Sequence, residues 1–336
     1  MNHRFIKKRE TSVSKKNDIL FCVRGSTTGK MNWADQEYAL GRGLAAIRPK
    51  NGEKYRYFIR GIIDSNLSSL LASATGSTFP NVSRDQLNGL EILVPPPDEQ
   101  KAIASVLSSL DDKIDLLHRQ NKTLEAMAET LFRQWFVEEA QDDWEEGTLA
   151  DYADHLKVGV NPANKPIQLY THYSLPLFDN GMRPIVEAGS EILSNKYSVQ
   201  PWTILVSKLN PRFPRIWPIG GRPGENAICS SEFQVFKPKD EKLYGYLYFL
   251  LKSNEAKEEL STSASGTSGS HQRVRPADIL NLKINLPSTK LAEQYSEFTM
   301  PNIKKLMANL EQIHTLETLR DTLLPKLMSG EIRVAV

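Results

Sequence analysis

The feature that most constrains this chain is an uninterrupted apolar seam between Asp98 and Glu138. Ile103, Leu107, Leu110, Ile114, Leu117, Leu124, Ala128, Leu131 and Trp135 recur there at alternating steps of four and three. Asn121 fills the one polar position between Leu117 and Leu124. That repeat is the pattern of a long helix packed on a partner helix. No Gly or Pro interrupts it, and Pro95, Pro96 and Pro97 set its start, since proline is tolerated only at or before the first turn. At 1.5 Å per residue the helix is expected to be roughly 60 Å long, more than a compact domain needs for a core helix, so it reads as a spacer. Asn121 in the seam costs stability and can fix register; the alternative is a surface asparagine on a helix that drifts off its partner.

A second stretch near the C-terminus repeats the first. Thr123-Leu124-Glu125 through Leu131-Phe132 reads against Thr315-Leu316-Glu317 through Leu323-Leu324. Leu306, Leu310, Ile313 and Leu323 supply the second seam. Ahead of the first helix lies Leu90-Glu91-Ile92-Leu93-Val94-Pro95, then Glu99-Gln100; ahead of the second lies Leu282-Lys283-Ile284-Asn285-Leu286-Pro287, then Glu293-Gln294. Further upstream, Asp18-Ile19-Leu20-Phe21-Cys22-Val23 reads against Thr203-Ile204-Leu205-Val206-Ser207-Lys208. The chain is a tandem repeat of a globular unit followed by a long helix, with a period too long for a solenoid. The expected domains are 1–97, a long helix over 98–142, a second globular domain over 143–288, and a second long helix over 289–336.

A chain of 336 residues is long enough for two domains with their own cores. No apolar run approaches 18 residues and no apolar stretch follows the N-terminus, which argues against a membrane span and a signal peptide. Cys22 and Cys229 sit in separate strand-like segments and read as buried thiols of a cytoplasmic protein. The net charge of +2 hides an uneven distribution. Residues 1–60 hold fourteen Lys/Arg and five Asp/Glu, residues 98–146 hold five and thirteen, and Lys196 to Arg222 contains five basic residues and no acidic one. Basic globular parts joined by an acidic helix suggest that the globular parts meet a polyanion. Solvated surface charge is the alternative.

Both globular units read as mixed α/β. Strands are expected at Asp18–Val23, Leu44–Ile47 and Leu90–Val94 in the first, with a helix over Arg56–Leu71. In the second, Trp144–Leu149, Trp202–Val206, Ala227–Cys229 and Phe233–Phe236 read as strands. Leu243–Leu260 reads as one helix whose aromatic face belongs to the core. The last helix is expected over Lys290–Met328, with Pro301 and Pro325 as kinks or boundaries and Gly330 as its stop. Between helix and strand each unit carries a run of small hydroxyl residues and glycine: Ser73 to Thr78, and Ser261 to Ser270. Such loops bring backbone N–H and hydroxyl groups close to phosphates. Ser77 and Thr78, and Ser265, Ser268 and Ser270, are the candidates there. Asn81 and Arg84 follow the first loop and His271, Gln272 and Arg273 the second; Asn, Gln and Arg match the donor and acceptor patterns of base edges.

Catalytic chemistry is not visible. Gly25-Ser26-Thr27-Thr28-Gly29-Lys30 has three residues between its glycines where a phosphate loop has four, with Met31 where the magnesium-binding hydroxyl belongs. Arg24, Ser26 and Lys30 remain as candidates for DNA phosphates. In the second unit Ser207, Lys208, Arg212, Arg215 and Arg222 form the matching basic stretch. Asn210-Pro211-Arg212-Phe213 is not an adenine-methyltransferase motif, and the histidines and cysteines make no metal-ligand spacing.

The chain resembles the specificity subunit of type I restriction-modification enzymes. The resemblance lies in Pro95-Pro96-Pro97-Asp98-Glu99-Gln100, Leu110-Asp111-Asp112-Lys113-Ile114, Leu131-Phe132-Arg133-Gln134-Trp135-Phe136, and the run from Leu319-Arg320-Asp321 through Leu323-Leu324-Pro325-Lys326-Leu327-Met328-Ser329-Gly330-Glu331-Ile332-Arg333. It implies an α+β fold: two mixed α/β target-recognition domains separated by two long antiparallel coiled-coil helices. Each domain is expected to read half of a split double-stranded DNA target. The helices are expected to measure the spacer and to dock two modification subunits, which bind S-adenosylmethionine and methylate adenine. Restriction subunits join through the complex. This chain itself is expected to bind no cofactor or metal and to catalyse nothing. A coiled-coil protein scaffold and a self-contained methyltransferase are the rival readings. Fifty-nine positions separate Trp144 from Thr203 and only 17 separate Met1 from Asp18, so the first domain is expected to be shortened at its opening.

Overall fold

A computed structural model describes residues 12–74, 80–264 and 272–334. In chain order the first elements are β1 (Val13–Ser14), β2 (Ile19–Cys22), β3 (Met31–Trp33), β4 (Tyr38–Ala39), β5 (Leu44–Ile47), α1 (Arg56–Ser65), α2 (Leu67–Ala72) and α3 (Arg84–Asn88). The long helix α4 (Pro97–Arg133) follows and passes into a π-helical turn, Gln134–Glu138. Next come β6 (Glu145–Thr148), β7 (Ala153–Leu156), β8 (Gly159–Val160), β9 (Leu169–Tyr173), α5 (Leu175–Asp179), β10 (Ile185–Ala188), β11 (Lys196–Ser198) and β12 (Ile204–Ser207). The chain closes with β13 (Ile216–Pro218), β14 (Ile228–Ser230), β15 (Phe233–Pro238), α6 (Tyr244–Lys252), α7 (Asn254–Ser263), α8 (Pro276–Leu280), β16 (Lys283–Leu286) and α9 (Thr289–Ser329). The chain forms two compact units, one of Met1–Asp115 with Thr315–Val336 and one of Leu116–His314. The divisions fall inside the two long helices, so each unit takes a sheet and a share of both helices.

In the first unit β2 is the central strand of a three-stranded antiparallel sheet, between β3 and β5. Ile19 and Phe21 are fully buried against Ile63, Leu70 and Val82. A second cluster joins Phe58 and Ile62 of α1 to Ile103 and Leu107 of α4 and Leu327 of α9. Gly61 lets α1 come this close: a Cβ there would lie 3.1–3.2 Å from Leu107, Leu324 and Met328. Arg320 ties α9 to α4 through Asp111 at 3.0 Å. α1 and α2 occupy the expected helical stretch but break at Asn66. Leu90–Val94, expected as a strand, is irregular, and Leu93 and Val94 are 76% and 64% exposed.

The second unit repeats this ladder with additions. β12 lies between β13 and β15, and Ile204 faces Phe236 as Ile19 faces Ile47. An isolated bridge joins Leu209 to Arg273 where Arg24 joins Asn81 in the first unit. Val274 N–H donates to the Lys208 carbonyl, and Val82 N–H donates to that of Val23, both at 2.9 Å. Beyond the shared ladder, β7 adds to the free side of β15, and β6 pairs with β16. β6 is what makes Lys283–Leu286 a strand; among the described residues no strand meets its counterpart, Leu90–Val94. A five-stranded sheet, β10-β9-β14-β11-β8, completes the unit. The stretch Leu243–Leu260 is two helices rather than one, because Ser253 turns extended and caps α7, its hydroxyl accepting from Ala256 N–H. Every residue from Tyr244 to Leu251 is buried, so the aromatic stripe is core.

The residues of the apolar seam differ in depth along the two long helices. Ile103, Leu107, Ile114, Leu117, Asn121 and Ala128 are buried, and Leu306 and Ile313 are buried on α9. Leu110, Leu124, Leu131, Trp135, Leu310 and Leu323 are half-buried. Toward the end of α4 the deeper positions are Phe132 and Phe136, which stack on Tyr246 and Tyr295. Asn121 accepts from Asn309 Nδ2 at 2.7 Å, and Ala128 O accepts from Tyr295 at 2.8 Å, so the helices run antiparallel. α9 continues as helix through Pro301 and Pro325, so neither proline is a boundary. Both prolines are exposed, so carbonyls freed by the missing N–H groups face water.

Candidate nucleic-acid interface

The end of β12 gathers the second unit's candidates. Two loops 62 residues apart in sequence meet there. Leu209 bridges Arg273, and Asn210 N–H donates to the Gln272 carbonyl at 2.9 Å. Asn210 adopts a left-handed conformation, φ 52°, in which asparagine is tolerated. Ser207 is nearly buried, and its hydroxyl accepts from Leu209 N–H at 3.0 Å and donates to Leu209 O at 3.1 Å. That hydroxyl shapes the turn and is not presented to a ligand.

The charges are more answered in space than along the sequence. Lys208 Nζ donates to Ser231 O at 2.5 Å and lies 5.6 Å from the Tyr197 ring; burial pulls its pKa down. Arg215 makes two bonds to Asp179, at 2.6 and 2.9 Å, so it is an ion-pair partner of α5 rather than an unopposed cation. Arg273 reaches Glu232 at 3.3 Å yet remains 59% exposed. Arg212 is exposed at the loop tip beside Phe213, itself 70% exposed. The expected single basic loop from Ser207 to Arg222 is interrupted by β13. Arg222 therefore lies at the other end of that strand, on a cavity of about 590 Å³ walled by Trp202, Trp217 and Met307.

Glu232, His155 and Gln234, polar groups at this end of the sheet, were not foreseen, whereas Gln272 was a candidate. Glu232 Oε2 and Gln272 Oε1 are buried and have no partner among the described residues. A buried polar atom left this way carries a desolvation cost that an incoming donor relieves. His155 arrives on β7, opposite Phe236 of β15; burial holds its imidazole below the usual value, with Lys157 and Lys208 close enough to add to the depression. No sequence pattern announces His155 and Gln234, because strand pairing brings them together. Phe213 carried a visible signal, an aromatic between Pro211 and Pro214.

The first unit presents the same junction in reduced form. Arg24 bridges Asn81, and the intervening turn is held by Thr28, whose hydroxyl donates at 2.8 Å to Gly25 O and Pro80 O. Gly25 and Gly29 have positive φ, which glycine alone adopts freely. Arg24, Ser26 and Lys30 are exposed on this turn. Arg84 opens α3 behind the capping residue Ser83, at the position Pro276 holds in α8. Ser77, Thr78, Ser265, Ser268, Ser270 and His271 lie outside the described residues. The two cysteines are free, and burial pushes the Cys229 thiol up to about 12.

A tandem pair of sheet units, each with a basic two-loop junction at the end of its central strand, defines a binding protein of repeated design. Comparison with known proteins gives the family. The model of the type I restriction modification DNA specificity domain matches residues 1–126 and 142–313, one match per repeat. The chain belongs to this family, whose members are the non-catalytic DNA-recognition subunits of type I restriction enzymes. It is 26% identical to the type I restriction enzyme MjaIX specificity subunit of Methanocaldococcus jannaschii, an alignment covering 98% of this chain and 81% of that one. The MjaVIII specificity subunit of the same organism is 25% identical over 96% and 80%. The crystal structure of the S subunit of a type I restriction-modification system from M. genitalium shares the fold, with a TM-score of 0.55 at 20% identity, covering 94% of this chain and 83% of that one. No helix among the described residues is long and apolar enough to cross a membrane.

Proposed function

We propose that this specificity subunit reads a split DNA target, one half per unit, through the two-loop junction at the end of each central strand. The observation that carries this is the convergence of Lys208–Asn210 with Gln272–Val274, repeated at Val23–Arg24 with Asn81–Val82. In the second unit Arg212 and Lys208 meet phosphates, Gln272 and Arg273 meet base edges, and Phe213 is placed to wedge against a base step. The domain assignment 1–97, 98–142, 143–288 and 289–336 goes with this reading. The two long helices serve as spacer and as dock for two modification subunits, which carry S-adenosylmethionine and methylate adenine, with restriction subunits joining the assembly in the cytoplasm. Support comes from the family and from the acidic outer surface of α4, which does not suit DNA. The test is binding of matched and single-mismatch duplexes at several salt concentrations with the modification subunit present. A steep salt dependence together with position-specific mismatch penalties is expected. Equal affinity for all duplexes would overturn the reading.

A further inference from the structure

In the second unit β15 is covered on its outer side by β7, with Val235 opposite Leu156, Phe236 opposite His155 and Lys237 opposite Asp154. The corresponding strand of the first unit is β5. The shared register makes this correspondence residue by residue: Ile47 answers to Phe236 and Ala46 to Val235. Among the described residues no strand lies on the outer side of β5. A groove of about 850 Å³ runs there instead. Its walls include Leu44, Ile47, Ile59, Ile62, Leu87 and Ile92. The edge is chemically open as well. Val23 N–H donates to Gly43 O, so the alternation of an antiparallel pair turns the Ala46 N–H away from β2 and toward the groove.

We propose that the outer edge of β5 and this groove form a docking site for an extended acidic segment of another polypeptide, added as a strand antiparallel to β5. Two observations select the occupant. The repeat shows what fills the same place in the second unit: the strand Ala153-Asp154-His155-Leu156, with apolar residues at both ends and polar ones between, led in by the acidic stretch that carries Glu145, Glu146 and Asp151. Charge gives the second. Among the described residues the groove is lined by Arg24, Arg48 and Arg84 and by no carboxylate, and of these arginines only Arg48 has an ion-pair partner there, Asp18. The chain's own residues 1–11 carry Arg4, Lys7, Lys8 and Arg9 against Glu10, a net charge of the same sign as the groove's arginines. Strand addition at an open edge takes affinity from main-chain hydrogen bonds and selectivity from alternate side chains entering the groove.

The test uses the full chain and a labelled synthetic peptide with the sequence of Trp144–Leu156. Fluorescence anisotropy is expected to show saturable binding, and hydrogen exchange to show new protection at the Ala46 amide. Ala46→Pro removes the outward donor while leaving the β2–β5 bonds in place, a substitution tolerated on an edge strand, and is expected to weaken binding on the order of tenfold. Arg84→Glu is expected to weaken the same peptide and to favour one whose Asp and Glu residues are replaced by Lys. Absence of saturable binding overturns the proposal. So does binding that survives both Ala46→Pro and Arg84→Glu, since the peptide then sits elsewhere, including in place of β7. If deletion of residues 1–11 is required before the peptide binds, the chain itself is the occupant and the proposal of a second polypeptide fails. An Ala46→Pro-sensitive dimer of the chain alone overturns it in favour of a second copy.

Discussion

The two units share one ladder and differ in what lies on its outer edge. Phe236 of β15 is fully buried, with the His155 ring of β7 at 5.4 Å, whereas Ile47 at the same position of β5 is half-buried beside an open groove. Register is thus set by the central strands, β2 and β12, while burial of the outer strand depends on the element added beyond it. A β-sheet position is worth what its neighbours cover, not what its own propensity offers. The sharpest way to break this comparison is to truncate both residues. Phe236→Ala should cost the second unit about 3–5 kcal/mol, and Ile47→Ala should cost the first about 1–2 kcal/mol because less surface is lost. Urea denaturation followed by hydrogen exchange in each unit measures both; equal losses would show that the outer strand does not matter.

The two loop junctions proposed to meet DNA differ in the same direction. The second has Gln272 and Arg273 at the loop meeting, the first has Asn81 alone at the bridge, with Arg84 displaced toward the groove. Gln272→Ala or Arg273→Ala is expected to cost on the order of 1–3 kcal/mol and to relax preference at one base pair of a half-site. Lys208→Ala should weaken all duplexes alike and flatten the salt slope by about one unit. Arg84→Ala should change discrimination least. If Arg84→Ala abolishes discrimination while Gln272→Ala and Arg273→Ala leave it intact, readout belongs to the first unit.

Much of this architecture is written in the sequence because it rests on local period. The seam, its proline start and the repeat gave both long helices to within a few residues. The Ser253 break escaped because an aromatic run on both sides masks a single capping serine. A boundary at Pro301 failed for the opposite reason: the ring sits on the exposed face of a helix held by packing on its other side. For the site, the sequence supplied the two loops but not their meeting, which depends on strand pairing across 62 residues. It also misread charge: Arg215 stands in a stretch without acids, yet Asp179 on α5 pairs with it. Leu90–Val94 misled because it repeats Leu282–Leu286 in pattern, and pattern does not say whether a partner strand is present.

The helices carry their own asymmetry between the units. The repeat sets Asn121 against Ile313 and Leu117 against Asn309, so the Asn121–Asn309 layer maps onto two apolar residues, both buried. An α4–α4 pairing between two chains would set asparagine against leucine, and so would disfavour self-pairing relative to α4 with α9. Asn121→Leu or Asn309→Leu alone should destabilise the second unit by about 1–3 kcal/mol by leaving the other amide buried and unpaired. The double replacement should recover most of that loss, since Asn121 Nδ2 and Asn309 Oδ1 already lack partners. It should also admit chain dimers, seen by light scattering. A double variant as unstable as the sum of the singles, and still monomeric, would deny the layer its role.

The smallest difference expected between the units is their response to acid. His155 is half-buried in the second unit, and burial holds its pKa below the ordinary imidazole value. The only histidine of the first unit is His3. In the unfolded chain His155 takes up its proton as the pH falls through about 6.5, while in the folded unit it resists protonation to lower pH. The unfolded state then binds more protons, so stability present above that value is lost as acid is added. Unfolding of the second unit should shift to lower urea between pH 7.5 and 5.5, while that of the first should hardly move. His155→Gln should remove the part of the shift that this group supplies, because an amide does not titrate. A variant whose pH dependence matches that of the parent would mean that the sensitivity lies elsewhere in the unit.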